Sequence, residues 1–266
     1  MTGRAGWAIL RSLGTFVIVV GLLLALWVGF LRFFDVNTYV GKTPAMVWEA
    51  ITDPERGPER RADLWDATKV TLGESALGFF CGLVVALVVA IGFTLSRPLE
   101  RAVMPIALAL RSVPIVAMVP LLAYVFGRGT TGSLVIISII VWFPALVLVS
   151  NGLRSVRPEA LELLRAYDAG PFTQLVKLRL PSAIPSILAS AKVCAPLAVL
   201  GSILNGWLST GTGLGNLMAT STITAQYSML WAAVVVVTVV SVLFAAVVTS
   251  LEQVAYARWA PDRLAA

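Results

Sequence analysis

Long runs of residues without a charged side chain are the feature that most restricts how this chain folds. A bilayer core is about 30 Å thick, so a helix rising about 1.5 Å per residue needs roughly 20 apolar residues to cross it. Uncharged runs occupy 12–31, 75–96 and 129–153, and a run over 102–127 is interrupted only by Arg111. The last run, 193–251, is long enough for two helices. The sequence therefore predicts an all-α, polytopic membrane protein with six transmembrane helices.

We expect a single membrane domain over 1–266, with two hydrophilic loops long enough to hold structure. The six helices are predicted at 12–32, 67–95, 104–127, 131–153, 184–205 and 229–251. The outer loop, 35–66, should contain a short interfacial helix in TPAMVWEAI, followed by a charged, proline-broken and solvated stretch. The inner loop, 154–183, should form a helix, a turn at 168–171 and a second helix. The turn-rich stretch before the last helix is expected to be a loop.

Composition excludes several classes of protein. Hydrophobic residues make up 58% of the chain and charged residues only 13%, about half the roughly 25% of a soluble domain. The chain has no histidine and two cysteines, Cys81 and Cys194, in apolar stretches, so we expect no metal site and no disulfide framework. The net charge is +6, but the basic residues lie between apolar runs, which argues against nucleic acid as a partner.

The basic residues also predict the orientation. Lys and Arg are retained on the cytoplasmic side of short loops, and they are more frequent in the segments that six spans place on the same side as both termini, including Arg97, Arg101, Arg154 and Arg157. The first apolar run lacks a cleavage pattern and is expected to remain as an anchor. We expect a multi-pass protein of the bacterial plasma (inner) membrane with both termini cytoplasmic.

The inner loop carries a motif that resembles a known family, the integral-membrane permeases of binding-protein-dependent ABC importers. The family hallmark is Glu-Ala-Ala, three residues, Gly, and a spacer ending in Leu-Pro. Here Glu162 begins the motif, Asp168 stands in place of the glycine, and Leu180 and Pro181 end the spacer. Leucines replace both alanines. Aspartate is among the few residues other than glycine that tolerate positive φ, and it can cap a following helix.

Further segments, in order, are similar to the same family over roughly 44–260. They are RSVPIVAMVPLLAYVFG at 111–127, GTGLG at 211–215 and LEQVAYARW at 251–259. The resemblance is to the branch that handles sulfonates, taurine, nitrate and similar small solutes, and it implies a type I importer fold. Glu74 departs from the family pattern, since many relatives carry arginine there.

The resemblance implies a permease subunit that is not itself an enzyme. Its implied partners are two ABC ATPase subunits, a second permease (the same chain or a related one) and an extracytoplasmic solute-binding protein. No cofactor is expected on this chain, because ATP and Mg would be bound by the ATPases. Gly41, Lys42 and Thr43 lack the upstream glycine and the strand-to-helix context of a nucleotide-binding loop.

Two groups of candidate site residues follow. An amphipathic helix in the inner loop can place its apolar face in a groove of an ATPase while charges set its register, and the candidate coupling residues are Glu162, Leu163, Leu164, Arg165, Asp168, Ala169 and Gly170. The candidate pathway or gate residues are Arg111, Pro114, Asn205 and Glu74.

Three of the four pathway candidates also have a structural explanation. Arg111 can snorkel to the inner interface. Glu74 can pair with Lys69 or face water. Asn205, like Ser209, can belong to a solvated glycine-rich loop.

Two other classes of function compete with the importer. An intramembrane enzyme would need convergent catalytic groups, and none is evident at membrane depth. An ATP-independent carrier or channel is the second alternative, and it would typically show internal repeats or several ionisable groups at the midplane. Transport by the purified chain without an ATPase would identify a carrier or channel.

Overall fold

The computed structural model describes the backbone of residues 2–259 and the side chains of 14–15, 17–110 and 112–255. Over this part of the chain the structure is helical, without strands. The helices are α1 Thr2–Phe33, α2 Pro44–Thr52, α3 Gly57–Leu95, α4 Arg97–Ser112, α5 Ile115–Phe126, α6 Thr130–Arg154, α7 Pro158–Ala166, α8 Pro171–Gln174, α9 Leu180–Asn205, α10 Gly213–Ile223 and α11 Tyr227–Trp259. Single π-helical turns, Leu175–Arg179 and Gly206–Thr210, precede and follow α9.

Four helical segments are long and apolar enough to cross a membrane: α3, α6, α11 and the continuous run Pro171–Thr210 that includes α9. The bent pair α4 and α5 is a fifth candidate, and α1 contains the apolar stretch Val17–Phe33. These segments account for the six expected membrane-crossing elements, and the predicted all-α, polytopic fold class is confirmed.

The core forms where α3, α6 and α9 pack against one another. Small residues bring the helix axes close, since a Cβ atom at Gly78 would lie 2.5 Å from Ile137 Cβ and one at Gly82 would lie 2.7 Å from Val141 Cβ. Close approach at small residues is a common way for membrane helices to gain van der Waals contact. Cys194 is fully buried in this core.

The predicted short helix of the outer loop is present as α2, but the loop is shorter than expected. Thr43 caps α2 by accepting a hydrogen bond from the Met46 amide at 3.4 Å. Residues 57–66, predicted as a solvated loop, are instead the beginning of α3. Pro58 lies in the first turn of α3. A backbone N–H in the first turn has no partner within the helix, so proline loses no hydrogen bond there, and its fixed φ favours a helix.

The predicted third span, 104–127, is not one continuous helix. Helices α4 and α5 meet at an angle of 105°. Val113, immediately before Pro114, is extended with ψ 126°, because the proline ring disfavours helical geometry in the preceding residue. Pro114, by its effect on Val113, therefore determines where α4 ends.

The stretch between α9 and α11, predicted as a turn-rich loop, contains the helix α10. Its N-terminus is held by Thr71, whose Oγ1 accepts a hydrogen bond from the Leu214 amide at 2.9 Å. Gly215 packs so closely against α9 that a Cβ atom there would overlap the Ile203 carbonyl oxygen. The glycines of this stretch therefore permit close packing against α9 and α3 instead of marking a free loop.

Candidate functional site

The inner loop presents an exposed helix, α7. Pro158 occupies its first turn, Glu159 lies near its N-terminus and Arg165 in its last turn, which is the charge order that suits the helix dipole. None of its residues is buried, and Leu163 is 59% exposed. Among the coupling candidates, Leu164 and Ala169 are half-buried and the other five are exposed. The helix offers both an apolar side chain and charges to a partner.

The turn after α7 is a Schellman motif built around Asp168. Asp168 has φ +55°, and its amide donates to the Arg165 carbonyl at 2.9 Å while the Ala169 amide donates to the Leu164 carbonyl at 2.9 Å. These are the two bonds that define the motif, with Asp168 in the position that glycine usually holds. The predicted positive φ is confirmed. The suggested capping of the next helix by Asp168 is not confirmed, because the N-cap of α8 is Gly170, which forms no side-chain hydrogen bond.

The end of the inner loop is anchored in the helical core. Leu175 is 2% exposed and belongs to the core cluster of α3, α6 and α9. Arg179 Nη1 donates a hydrogen bond to the Leu153 carbonyl at 3.1 Å, which ties the chain entering α9 to the end of α6. The second predicted helix of the loop is therefore continuous with α9. Only residues 155–157 separate the end of α6 from α7.

A polar cluster links three helices in the interior of the bundle. We call Glu74, Ser133, Ser202 and Asn205 the Glu74 cluster. Ser133 Oγ donates to Glu74 Oε1 at 2.8 Å, Ser202 Oγ donates to Glu74 Oε2 at 2.9 Å, and Asn205 Nδ2 donates to Ser133 Oγ at 2.7 Å. Glu74 comes from α3, Ser133 from α6, and Ser202 and Asn205 from α9. Hydroxyl donors to both carboxylate oxygens offset the cost of placing this group among apolar helices.

The cluster corrects two of the structural explanations considered for its members. Lys69 pairs with Asp66 at 2.6 Å, and Glu74 is half-buried and engaged by serines, so pairing of Glu74 with Lys69 is wrong. Asn205 is fully buried at the end of α9, so its assignment to a solvated loop is also wrong. Within the described side chains its Oδ1 has no hydrogen-bond partner.

The structure thus joins Glu74 and Asn205, two separate candidates in the sequence, through Ser133. Sequence reasoning missed Ser133 and Ser202. Their signal is weak, because each is one of several hydroxyl residues in its apolar run and the spacing along the chain does not show which helix faces which.

Pro114 lies at the bend between α4 and α5, and the residues on either side of it line an apolar cavity of about 570 Å³. Side chains from four helices line this cavity, among them Leu110, Met118, Trp142 and Leu197. The backbone of Arg111 is part of α4, but its side chain lies outside the described residues, and its proposed snorkelling or gating role stays a prediction.

The described residues contain no group of three or more His, Cys, Asp or Glu side chains arranged for a metal ion.

Comparison with known proteins assigns the chain to a family. The family model described as "Binding-protein-dependent transport system inner membrane component" matches residues 78–260. A "Probable ABC transporter permease protein" of Haemophilus influenzae is 28% identical over 226 residues, which cover 85% of this chain and 89% of the relative.

Two further relatives are named for a solute. SsuC of Bacillus subtilis, named for aliphatic sulfonates transport, is 26% identical and covers 72% of this chain and 69% of its own length. The nitrate import permease protein NrtB of Leptolyngbya laminosa is 23% identical over 63% of this chain and 61% of its own length.

Solved structures share the fold. A chain of the MetNI methionine ABC transporter in an inward-facing conformation aligns with a TM-score of 0.61 and 20% identity, over 76% of this chain and 99% of that one. A chain of a bacterial alginate ABC transporter, in complex with an alginate-bound periplasmic protein, aligns with a TM-score of 0.64 and 14% identity, over 92% and 96%.

Proposed function

Because its family model covers most of the chain, the protein belongs to the binding-protein-dependent transport system inner membrane components, and from this premise we propose that it couples ATP hydrolysis on partner subunits to passage of a small polar or anionic solute. The chain is the multi-pass, inner-membrane permease subunit of an ABC importer, a non-catalytic component. The solute class, the partners and the coupling residues are the parts that we propose.

The observation that carries the proposed coupling is the construction of the inner loop. Helix α7 is exposed, and so is its Leu163 side chain. Two backbone hydrogen bonds stabilise the turn at Asp168, and Leu175 is buried in the core. A partner groove that receives Leu163, with Glu162 and Arg165 fixing the register, would gain the burial of an apolar side chain. Motion of that partner would then act on α6 and α9, in keeping with gating by rigid-body movement of packed helices.

We propose two ABC ATPase subunits as partners, each contacted by α7 of one permease, with ATP and Mg bound on them and no cofactor on this chain. A second permease, the same chain or a related one, would complete the pathway, and an extracytoplasmic solute-binding protein would deliver the solute. Both termini would be cytoplasmic, which puts α7 on the ATPase side. The solute would be a sulfonate, taurine, nitrate or a related molecule, which the names of the SsuC and NrtB relatives support.

Two charge reversals test the coupling. Glu162→Lys replaces a negative charge with a positive one, which would repel a basic residue of the partner that contacts Glu162. Glu55→Lys makes the same change on an exposed residue between α2 and α3. In co-purification from native membranes we expect Glu162→Lys to recover about tenfold less ATPase than the wild type, and Glu55→Lys to match the wild type. Equal recovery in both variants would contradict the assignment of α7.

Reconstitution tests the function itself. Proteoliposomes that contain the permease, its co-purified ATPases and the binding protein should accumulate labelled taurine, an alkyl sulfonate or nitrate only when ATP is supplied. Uptake by the permease alone without ATP would support the carrier or channel instead. ATP-dependent uptake of a solute outside this class would leave the importer intact and overturn the solute proposal.

A further inference from the structure

A second charged site lies where α3 ends and α4 begins, whereas Glu74 lies near the middle of α3. A cavity of about 600 Å³ opens there between the α3–α4 corner, the end of α6 and the π-helical turn before α9. Four arginines line it: Arg97, Arg101, Arg154 and Arg179. Among the described side chains, the only carboxylate in its lining is Glu100, so three positive charges are left without a negative one.

The one carboxylate is already engaged. Glu100 forms an ion pair with Arg154, and Arg179 donates to the Leu153 carbonyl. These contacts hold two guanidinium groups in fixed positions on the α6 side of the cavity. Arg97 and Arg101 form no ion pair or hydrogen bond within the described side chains, and both are exposed. Since they are four residues apart, they lie on one face of α4.

The helix on which they lie increases the positive potential. Helix α4 has 16 residues, and Ser96 caps it by accepting a hydrogen bond from the Leu99 amide at 3.4 Å. The N-terminus of a helix carries a partial positive charge, so arginine in its first turns is electrostatically unfavourable unless an anion balances it. Arg97 is the first residue of α4 and Arg101 follows one turn later. The local sequence thus leaves a positive potential for a ligand to neutralise.

We propose that this cavity, the α4 arginine cleft, binds a tetrahedral oxyanion of the phosphate or sulfate type. Guanidinium groups present paired N–H donors that match the oxygens of such an anion. The cavity is larger than one oxyanion, and Phe93, Met104 and Leu108 supply an apolar wall. A headgroup phosphate with its attached glycerol and acyl carbons, or a free oxyanion, meets this description. None of the candidate coupling residues and no member of the Glu74 cluster lines the cleft.

The test uses the intact transporter assembly in nanodiscs. One set is made of phosphatidylcholine alone and titrated with inorganic phosphate at constant ionic strength. The other contains phosphatidylcholine with increasing phosphatidylglycerol. Binding is measured by native mass spectrometry and by the shift in the thermal unfolding midpoint. The variant R97Q/R101Q removes the two unpaired charges, and R56Q/R128Q removes two exposed charges that lie outside the cleft.

We expect the wild type and R56Q/R128Q to bind equally well, and R97Q/R101Q to lose about fivefold in affinity for each arginine removed, or about 25-fold together. A response to phosphatidylglycerol alone identifies a lipid headgroup as the ligand, and a response to phosphate in phosphatidylcholine identifies a free oxyanion. No response to either probe overturns the proposal. So does equal weakening in R56Q/R128Q, which would indicate a general surface-charge effect, or unchanged binding by R97Q/R101Q.

Discussion

The turn after α7 and the Glu74 cluster both pair polar groups by hydrogen bonds, but they differ in how far apart the bonded residues lie along the chain. In the turn, the bonds join residues three and five positions apart, Asp168 to Arg165 and Ala169 to Leu164. In the cluster, the bonds join residues separated by 59, 128 and 72 positions. The turn is therefore specified by its own few residues, whereas the cluster exists only after three helices have packed. This difference predicts which changes stay local and which affect the whole bundle.

The largest effect is expected where α10 packs against α9. Gly215→Ala would place a Cβ atom in overlap with the Ile203 carbonyl oxygen and 2.9 Å from the Trp207 amide nitrogen. Both are backbone atoms that cannot move aside cheaply, so we expect a loss of about 3 kcal/mol in stability and a lower thermal unfolding midpoint.

Gly73→Ala is the matched control for this change. Gly73 lies in α3, where an added Cβ atom would meet nothing within 4 Å, and alanine is the better helix former by up to about 1 kcal/mol. Its unfolding midpoint should equal or exceed that of the wild type. A fall as large as that of Gly215→Ala would show that packing of the α10 segment is not the cause.

The next largest effect tests the cluster. Glu74→Leu removes the acceptor of the Ser202 hydroxyl and the shorter of two bonds from Ser133 Oγ, whose other acceptor is the Gly129 carbonyl at 3.4 Å. Leaving a buried donor unpaired costs about 2 kcal/mol. Glu74→Gln keeps an acceptor and should cost less. Thermal unfolding of the detergent-solubilised assembly measures both, with Glu49→Leu on the exposed face of α2 as the control.

Additivity then decides whether the cluster is one unit. Because Glu74 and Ser202 contact each other directly, the double variant Glu74→Leu/Ser202→Ala should be destabilised by less than the sum of the single variants, with a coupling of about 1 kcal/mol. Strict additivity would mean that the bond contributes nothing.

A smaller and local effect is expected at the turn. Asp168→Val puts a β-branched residue at φ +55°, which costs about 1 to 2 kcal/mol, whereas Asp168→Gly should be tolerated without strain. Hydrogen exchange of the Ala169 amide reports the turn directly. We expect faster exchange in Asp168→Val and no change in the exchange of α3 amides. Faster exchange throughout the bundle would remove the distinction between the two regions.

The smallest effect concerns a second local motif, ahead of α3. The amides of Arg56 and Glu55 donate to Asp53 Oδ1 at 2.7 and 2.9 Å, and these bonds lower the pKa of the Asp53 carboxyl below its ordinary value. A lowered folded-state pKa means that the stabilisation is fully present above the ordinary carboxyl pKa and is lost as the pH falls through the lowered value.

Hydrogen exchange of the Glu55 and Arg56 amides, followed from neutral to acidic pH and corrected for intrinsic rates, should show this loss of protection. Asp53→Asn should remove the pH dependence. Protection that stays constant in the wild type down to the lowest pH tested would contradict the assignment.

Particular residues show how far the sequence reasoning extends. The outer helix α2 and the Asp168 turn are predictable because their signals, the apolar spacing within TPAMVWEAI and an aspartate at a helix end, act within a few residues. The predicted beginning of α3 is wrong because Pro58 suggests a break, although proline in a first turn favours a helix. The bend at Pro114 escapes prediction because the run 102–127 is uncharged throughout apart from Arg111, and hydrophobicity does not report the angle between two halves of a run.

The sequence by itself determined the all-α class, the positions of the apolar segments and the family resemblance. Uncharged runs favour transfer from water to lipid, and short motifs depend only on residues that are close in the chain. Only the tertiary structure decided that α10 packs on α9, that Glu74 meets Ser133 and Ser202, and that four arginines surround one cavity. The physical reason is that an apolar helix is equally compatible with lipid on every side. Which of its faces meets a neighbour is settled by packing between residues far apart in the chain.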